Sequence, residues 1–173
     1  MGGAIAFNVR GRASIEGARG LNAAAVLEIS VVLRELLGDA FALYVKTKQV
    51  RWQMSDGRFR DGYLLVAEHG DQIFAMTGDM VERLRQFGRA SISSVGDLSR
   101  GQRRKNEGVA CIATPEKLKE LLRDNRRLTL ALLTAHEICE RYNDTATAGR
   151  IESWIDQTER RVWCLFEMTR ELR

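Results

Sequence analysis

The sequence predicts an all-α fold: four long helices, arranged as two hairpins joined by a long crossover. Three observations predict it. Apolar residues recur at three- and four-residue steps over windows far longer than a strand. Helix breakers are scarce, with Pro115 the one proline in 173 residues, against a background rich in Leu, Ala, Arg and Glu. Interruptions at Ser55-Asp56-Gly57, after Gly88 and at Asn143-Asp144-Thr145 divide the periodic pattern into four.

The first helix is expected from Leu21–Asn22 to about Gln53, with Asn22 as its N-cap. Its buried stripe is Val26, Ile29, Leu33, Leu36 or Leu37, and Leu43 or Tyr44. The second runs from about Phe59 to Phe87 and buries Phe59, Tyr63, Val66, Gly70, Ile73, Thr77, Met80, Leu84 and Phe87, with Gly88 as its stop. Residues 89–113 are polar, rich in Ser and Arg, and too long for a simple loop; Val95-Gly96-Asp97-Leu98 suggests a short helix inside this crossover. Thr114-Pro115-Glu116 places a hydroxyl cap, a first-turn proline and an acid near the helix dipole, which together start the third helix. That helix extends to about Tyr142 over Leu118, Leu121 or Leu122, Leu128, Leu132 and Ile138. The fourth, from about Ala146 to Glu171, buries Ile151, Trp154 or Ile155, Val162, Leu165 or Phe166, and Thr169. Residues 1–20 form a flexible basic tail and residues 21–173 one bundle domain.

Composition narrows the classes. Hydrophobic residues at 45% and charged residues at 29% describe a globular chain, and no apolar run approaches the ~18–20 residues that span a bilayer. Cys111, Cys139 and Cys164 are far apart and without CxxC, which fits reduced thiols in a cytoplasmic protein. The net charge of +4 is unevenly spread, with Arg10, Arg12 and Arg19 interleaved with glycines in the tail and Arg100, Arg103, Arg104 and Lys105 in the crossover. A cationic arm of this kind suits phosphate backbones, so DNA is a candidate partner. Phosphate-binding loops, nucleophile elbows and zinc spacings do not occur.

Four stretches carry a resemblance: KQVRW (48–52), GRFRDGY (57–63), EHGDQIFAMTGDMVERLR (68–85) and WIDQTERRVWCLFE (154–167). Through them residues 21–171 resemble the Dps family, the mini-ferritins that protect DNA during starvation. The resemblance implies a ferritin-like four-helix bundle, a homo-oligomeric shell of twelve subunits that can include paralogous subunits, and iron as the metal handled. In that family a ferroxidase centre lies between two subunits, one supplying two histidines and an acid and the other two further acids.

Carried over residue by residue, the resemblance finds that centre degenerate. The histidine position before Trp52 holds Arg51, the histidine opening the second helix is Tyr63, the acid one turn later is Ala67, and the acid some three turns beyond is Gly78. Only Glu82 matches. A guanidinium has no lone pair to offer and repels ferrous iron, and Ala67 and Gly78 have no ligating atoms. The expected reading is therefore a shell-forming protective subunit without its own ferroxidase activity, its Arg51 paired with a neighbour's Glu82. Two other readings stand beside it: an active mini-ferritin with altered ligands, in which Asp79 replaces the acid missing at 78, and a bundle repurposed for another partner.

Other candidates have plainer interpretations. His69, flanked by Glu68 and Asp71, reads as a solvated surface residue, and His136 with Glu140 as an ordinary helical polar face. Trp52, Trp154 and Trp163 read as core or interface aromatics, and Met76 and Met80 as packing residues. Asp144, at the corner between the last two helices, is a candidate pore-lining acid for iron entry. No Glu-x-x-His occurs, so a di-iron site inside the bundle is not supported.

Overall fold

The computed structural model describes residues 20–54, 60–89 and 114–171. The basic tail, the Ser55–Gly57 turn, Phe59, the crossover helix at 95–98 and Cys111 lie outside the described residues. Among the described residues four helices are present: α1 (Ala23–Gln53), α2 (Arg60–Gln86), α3 (Thr114–Arg141) and α4 (Thr145–Glu171).

Local chemistry sets each boundary. Asn22 keeps an extended backbone and its Oδ1 accepts from the Ala25 N–H at 2.8 Å, so it caps α1 as the sequence suggests. Gly88 ends α2 at φ +67, a left-handed conformation open to glycine at little cost. Its N–H donates to Arg85 O at 2.9 Å and that of Arg89 to Leu84 O at 3.1 Å, a Schellman closure. At the end of α3, Asn143 takes the left-handed position at φ 56, with Asn143 N–H to Glu140 O and Asp144 N–H to Cys139 O, both 2.9 Å. Asp144 then starts α4, its Oδ1 accepting from the Thr147 N–H at 3.2 Å. One residue thus closes a helix and opens the next.

Ion pairs between helix ends fix the directions. Glu28 near the start of α1 receives Arg141 at 3.1 Å, while Lys46 near its other end reaches Asp124 at 2.7 Å and Glu120 at 3.1 Å, so α1 runs antiparallel to α3. Arg83 near the end of α2 bonds Asp144 at 2.8 Å, bringing it to the start of α4. The end of α2 and the start of α3 therefore lie at opposite ends of the bundle.

Leu33, Leu36, Ile73, Met80, Leu84, Leu118, Leu132, Ile151 and Leu165 form the centre of the core, each fully enclosed. Where the sequence left a choice in α4, Trp154 and Leu165 are buried, Ile155 is half-buried and Phe166 is exposed. Val26, Tyr44, Tyr63, Ile138 and Val162 sit only half-buried at the margins of their expected stripes. Trp52 and Trp163 are surface residues, 74% and 65% exposed. Among the described residues no helix is long and apolar enough to cross a membrane.

Candidate functional site

The α1–α2 hairpin brings the last turn of α1 against the first turn of α2. Arg51 lies in the former and Tyr63 in the latter, and one Arg51 terminal nitrogen donates to the Tyr63 hydroxyl at 3.0 Å. The guanidinium carbon stands 4.7 Å from the centre of the Tyr63 ring, a cation–π contact on the same partner. Arg51 Nε, by contrast, is buried and has no hydrogen-bond partner. A Cβ on Gly62 would meet the tips of two flexible side chains, Met168 Cε at 2.7 Å and Met54 Cε at 3.2 Å, so α4 and the end of α1 pack against this turn of α2.

Further along α2 the outward positions are nearly empty of chemistry. Ala67 is half-buried, and Gly78 faces open space, with nothing within 4 Å of where a Cβ would stand. Glu82 is exposed and, among the described residues, accepts a long 3.4 Å bond from Gln86. Asp79 is exposed. Asp71 is tied to Lys48 at 2.9 Å, and the hydrogen bond and charge of Lys48 hold its carboxyl below the usual range. The residues present do not fit iron. Among the described residues, no group of three or more His, Cys, Asp or Glu side chains is arranged to hold a metal ion.

A second polar constellation occupies the bundle interior. Arg161, 1% exposed, donates from Nε to Asn125 Oδ1 at 3.0 Å, from one terminal nitrogen to Thr158 at 2.7 Å and from the other to Gln72 at 3.4 Å. Gln72 in turn donates to Glu68 at 3.1 Å, so the guanidinium connects to a surface carboxylate through a neutral amide. Burial brings the Arg161 pKa down to about 10. His69 is 4% exposed, and desolvation, helped by the Arg161 charge, lowers its pKa to about 4. The expectation of a solvated His69 is therefore wrong. Its acidic neighbours in sequence point outward, while His69 itself falls in the buried row Val66, His69, Ile73, Met76, Met80. That spacing was the signal that could have placed it.

The sequence matches the ferritin-like domain family over residues 32–173. It is 21% identical over 134 residues to the DNA protection during starvation protein of Helicobacter pylori, covering 78% of this chain and 93% of that one. With DNA protection during starvation protein 1 of Deinococcus radiodurans it shares 23% over 137 residues, covering 79% of this chain and 66% of the relative. The chain belongs to the ferritin-like family, as a Dps-type member. Among solved structures, an archaeal Dps homologue from Halobacterium salinarum superposes with a TM-score of 0.85 at 18% identity, covering 96% of this chain and 94% of that one, which speaks to the fold.

Within this Dps-type chain, Asp144 is not placed as a pore-lining acid. It is 4% exposed and spent inside the subunit, paired with Arg83 and hydrogen-bonded by both the backbone N–H and the hydroxyl of Thr147. Beneath it the Cys139 thiol is buried and pushed up to about 12, first by burial and then by the Asp144 charge. His136 adds a contact the sequence did not suggest: its Nε2 lies 3.0 Å from Glu152 of α4 and its Nδ1 3.7 Å from Glu140. It pins α3 to α4 and is not part of a metal-holding group. Met76 and Met80 are core residues.

Proposed function

We propose that this chain is a cytoplasmic subunit of a Dps-like protective shell that sequesters iron and shields DNA, and that its own interface centre does not oxidise iron. Family membership supports the protective, iron-sequestering half of that reading. The catalytic half is carried by one observation: Arg51 lays a permanent positive charge on Tyr63, where the family's centre would need a neutral imidazole. A ferrous ion entering there meets a cation, a phenol engaged with that cation, a methyl group and an empty glycine position. Glu82 alone offers a carboxylate.

The shell is homo-oligomeric, or mixed with paralogous subunits that retain their ligands. Iron is cargo in either case. The arm carrying Arg10, Arg12 and Arg19 supplies DNA attraction, weak for each copy and multiplied by the number of copies on a shell.

Ferrous oxidation driven by peroxide tests the catalytic half, with the purified protein expected to match the rate without protein. A clear excess over that blank would establish an active centre instead. Removal of residues 1–20, with DNA binding compared at low and raised salt, tests the arm. The truncated protein is expected to lose most of its affinity at low salt, and an unchanged affinity would remove the arm from the account.

A further inference from the structure

The outward row of α3 changes character along its length. Arg123, Arg126, Leu130, Leu133, Glu137 and Glu140 follow one another at alternating steps of three and four, and all are exposed. The first two are basic, the middle two apolar and the last two acidic. Leu130 is 64% exposed and Leu133 42%, and a groove lined by Leu130, Val162, Trp163 and Phe166 opens beside them on the α4 side. Trp163 is exposed as well, so apolar area lies uncovered at the centre of the row.

Other surface cations of α3 and α4 have an acid one turn away: Lys119 with Glu116, Arg127 with Asp124, Arg160 with Asp156 and Arg170 with Glu167. The row departs from that habit. Arg123, Arg126 and Glu137 make no ion pair among the described residues, and Glu140 reaches only His136 Nδ1, at 3.7 Å. Glu159 lines the groove together with Arg126 and does not pair with it. Within one chain like charge adjoins like, Arg123 beside Arg126 and Glu137 beside Glu140. Turned end for end, the row meets its complement. The pairs Arg123 and Glu140, Arg126 and Glu137, and Leu130 and Leu133 all share one midpoint, between Ala131 and Leu132. A parallel copy would set arginine on arginine, whereas an antiparallel one sets every charge on its opposite and leucine on leucine.

We propose that the outward row of α3 binds the same row of a second copy of this chain, antiparallel about a two-fold axis level with Ala131 and Leu132. Arg126 then meets the partner subunit's Glu137, Arg123 meets the partner subunit's Glu140, and each pair occurs twice. The partner subunit's Leu133 packs on Leu130 and covers the groove beside Trp163. The charges fix orientation and register, while the leucines and the indole supply the apolar burial. This contact lies on the α3–α4 side of the bundle, away from Arg51 and Tyr63, and goes beyond the shell reading without depending on it. A two-fold contact closes on itself. A copy already held in a larger particle therefore uses it to join one particle to another.

The test is sedimentation and native mass over a range of protein concentrations, at low and at raised salt. The wild type is expected to show a step that doubles the mass of its particle and that weakens as salt rises. Arg126→Glu and Glu137→Arg are each expected to weaken that step by at least ~10-fold when alone. An equimolar mixture of the two variants is expected to restore it, since each then presents the charge the other lacks. Restoration on mixing cannot arise from a folding defect in either variant. A second measurement reads geometry. Arg126→Cys mixed with Glu137→Cys is expected to be joined by a short thiol-bridging reagent, above the background of the wild type and of either variant alone. A wild type without the doubling step, or a mixture as weak as its components, would overturn the contact. The mass of the particle before that step tests the shell reading separately.

Discussion

Arg83 and Arg161 are equally hidden, 2% and 1% exposed, yet the bundle treats them in opposite ways. Arg83 meets a full counter-charge. It bonds Asp144 at 2.8 Å, Thr147 at 2.7 Å and Gln86 at 3.0 Å, and lies 4.5 Å from the Phe87 ring centre. Arg161 meets only neutral acceptors, on Asn125, Thr158 and Gln72, and its pKa falls toward 10 accordingly. The difference teaches that a buried guanidinium is held either by one ion pair of good geometry or by several oriented dipoles. Loss of one group should therefore cost more in the first case than in the second. Arg51 is the third case, half-buried, with its Nε buried and unmet among the described residues.

The largest break in this comparison is Asp144→Ala. It strands the Arg83 charge and removes the cap of α4, and should cost about 3–5 kcal/mol, with the cap contributing about 1 of that. Guanidinium denaturation at fixed protein concentration measures it. Asp144→Asn keeps the cap and isolates the charge term.

Acid probes the other arginine through His69. Its pKa is about 4 in the folded chain against 6.5 for an unburied histidine, so the unfolded chain takes up the proton first. Stability is unaffected by this group above pH 6.5, falls as the pH drops toward 4, and loses nothing further from it below that. A shift of this size corresponds to about 3 kcal/mol. His69→Gln should flatten the stability profile between pH 6.5 and 4, and an unchanged slope would show that other groups set it.

Asn125→Ala leaves Arg161 Nε without its acceptor but keeps the bonds to Thr158 and Gln72, so a loss of about 1–3 kcal/mol is expected, less than for Asp144→Ala. An equal or larger loss would erase the distinction between the two arginines. Tyr63→Phe is the smallest change. It removes one acceptor from the half-exposed Arg51 and should cost at most about 1 kcal/mol in thermal or denaturant unfolding.

The helices were legible because their signals are local. Asn22, Gly88, Pro115 and the Asn143–Asp144 corner each act within a turn of their own position, and the observed boundaries fall within a residue or so of the expected ones. That Ala67 and Gly78 offer no ligating atom is legible from residue type alone. Which arginines are buried was harder to see. Arg83 and Arg161 sit in the charged runs VERLRQ and TERRVW, where charge argues for exposure while helical phase places one residue in each run inward. Phase won because the bundle supplied Asp144 for one and Asn125 and Thr158 for the other, partners distant in sequence. The Arg51–Tyr63 contact depends likewise on the register of the α1–α2 hairpin, which no short window encodes.

The corner that closes α3 also shelters a sulfur atom. With its pKa pushed up to about 12, chiefly by burial, Cys139 stays a neutral thiol at neutral pH. Peroxide attacks sulfur through the thiolate, so burial first and the Asp144 charge second keep this thiol in its unreactive protonated form.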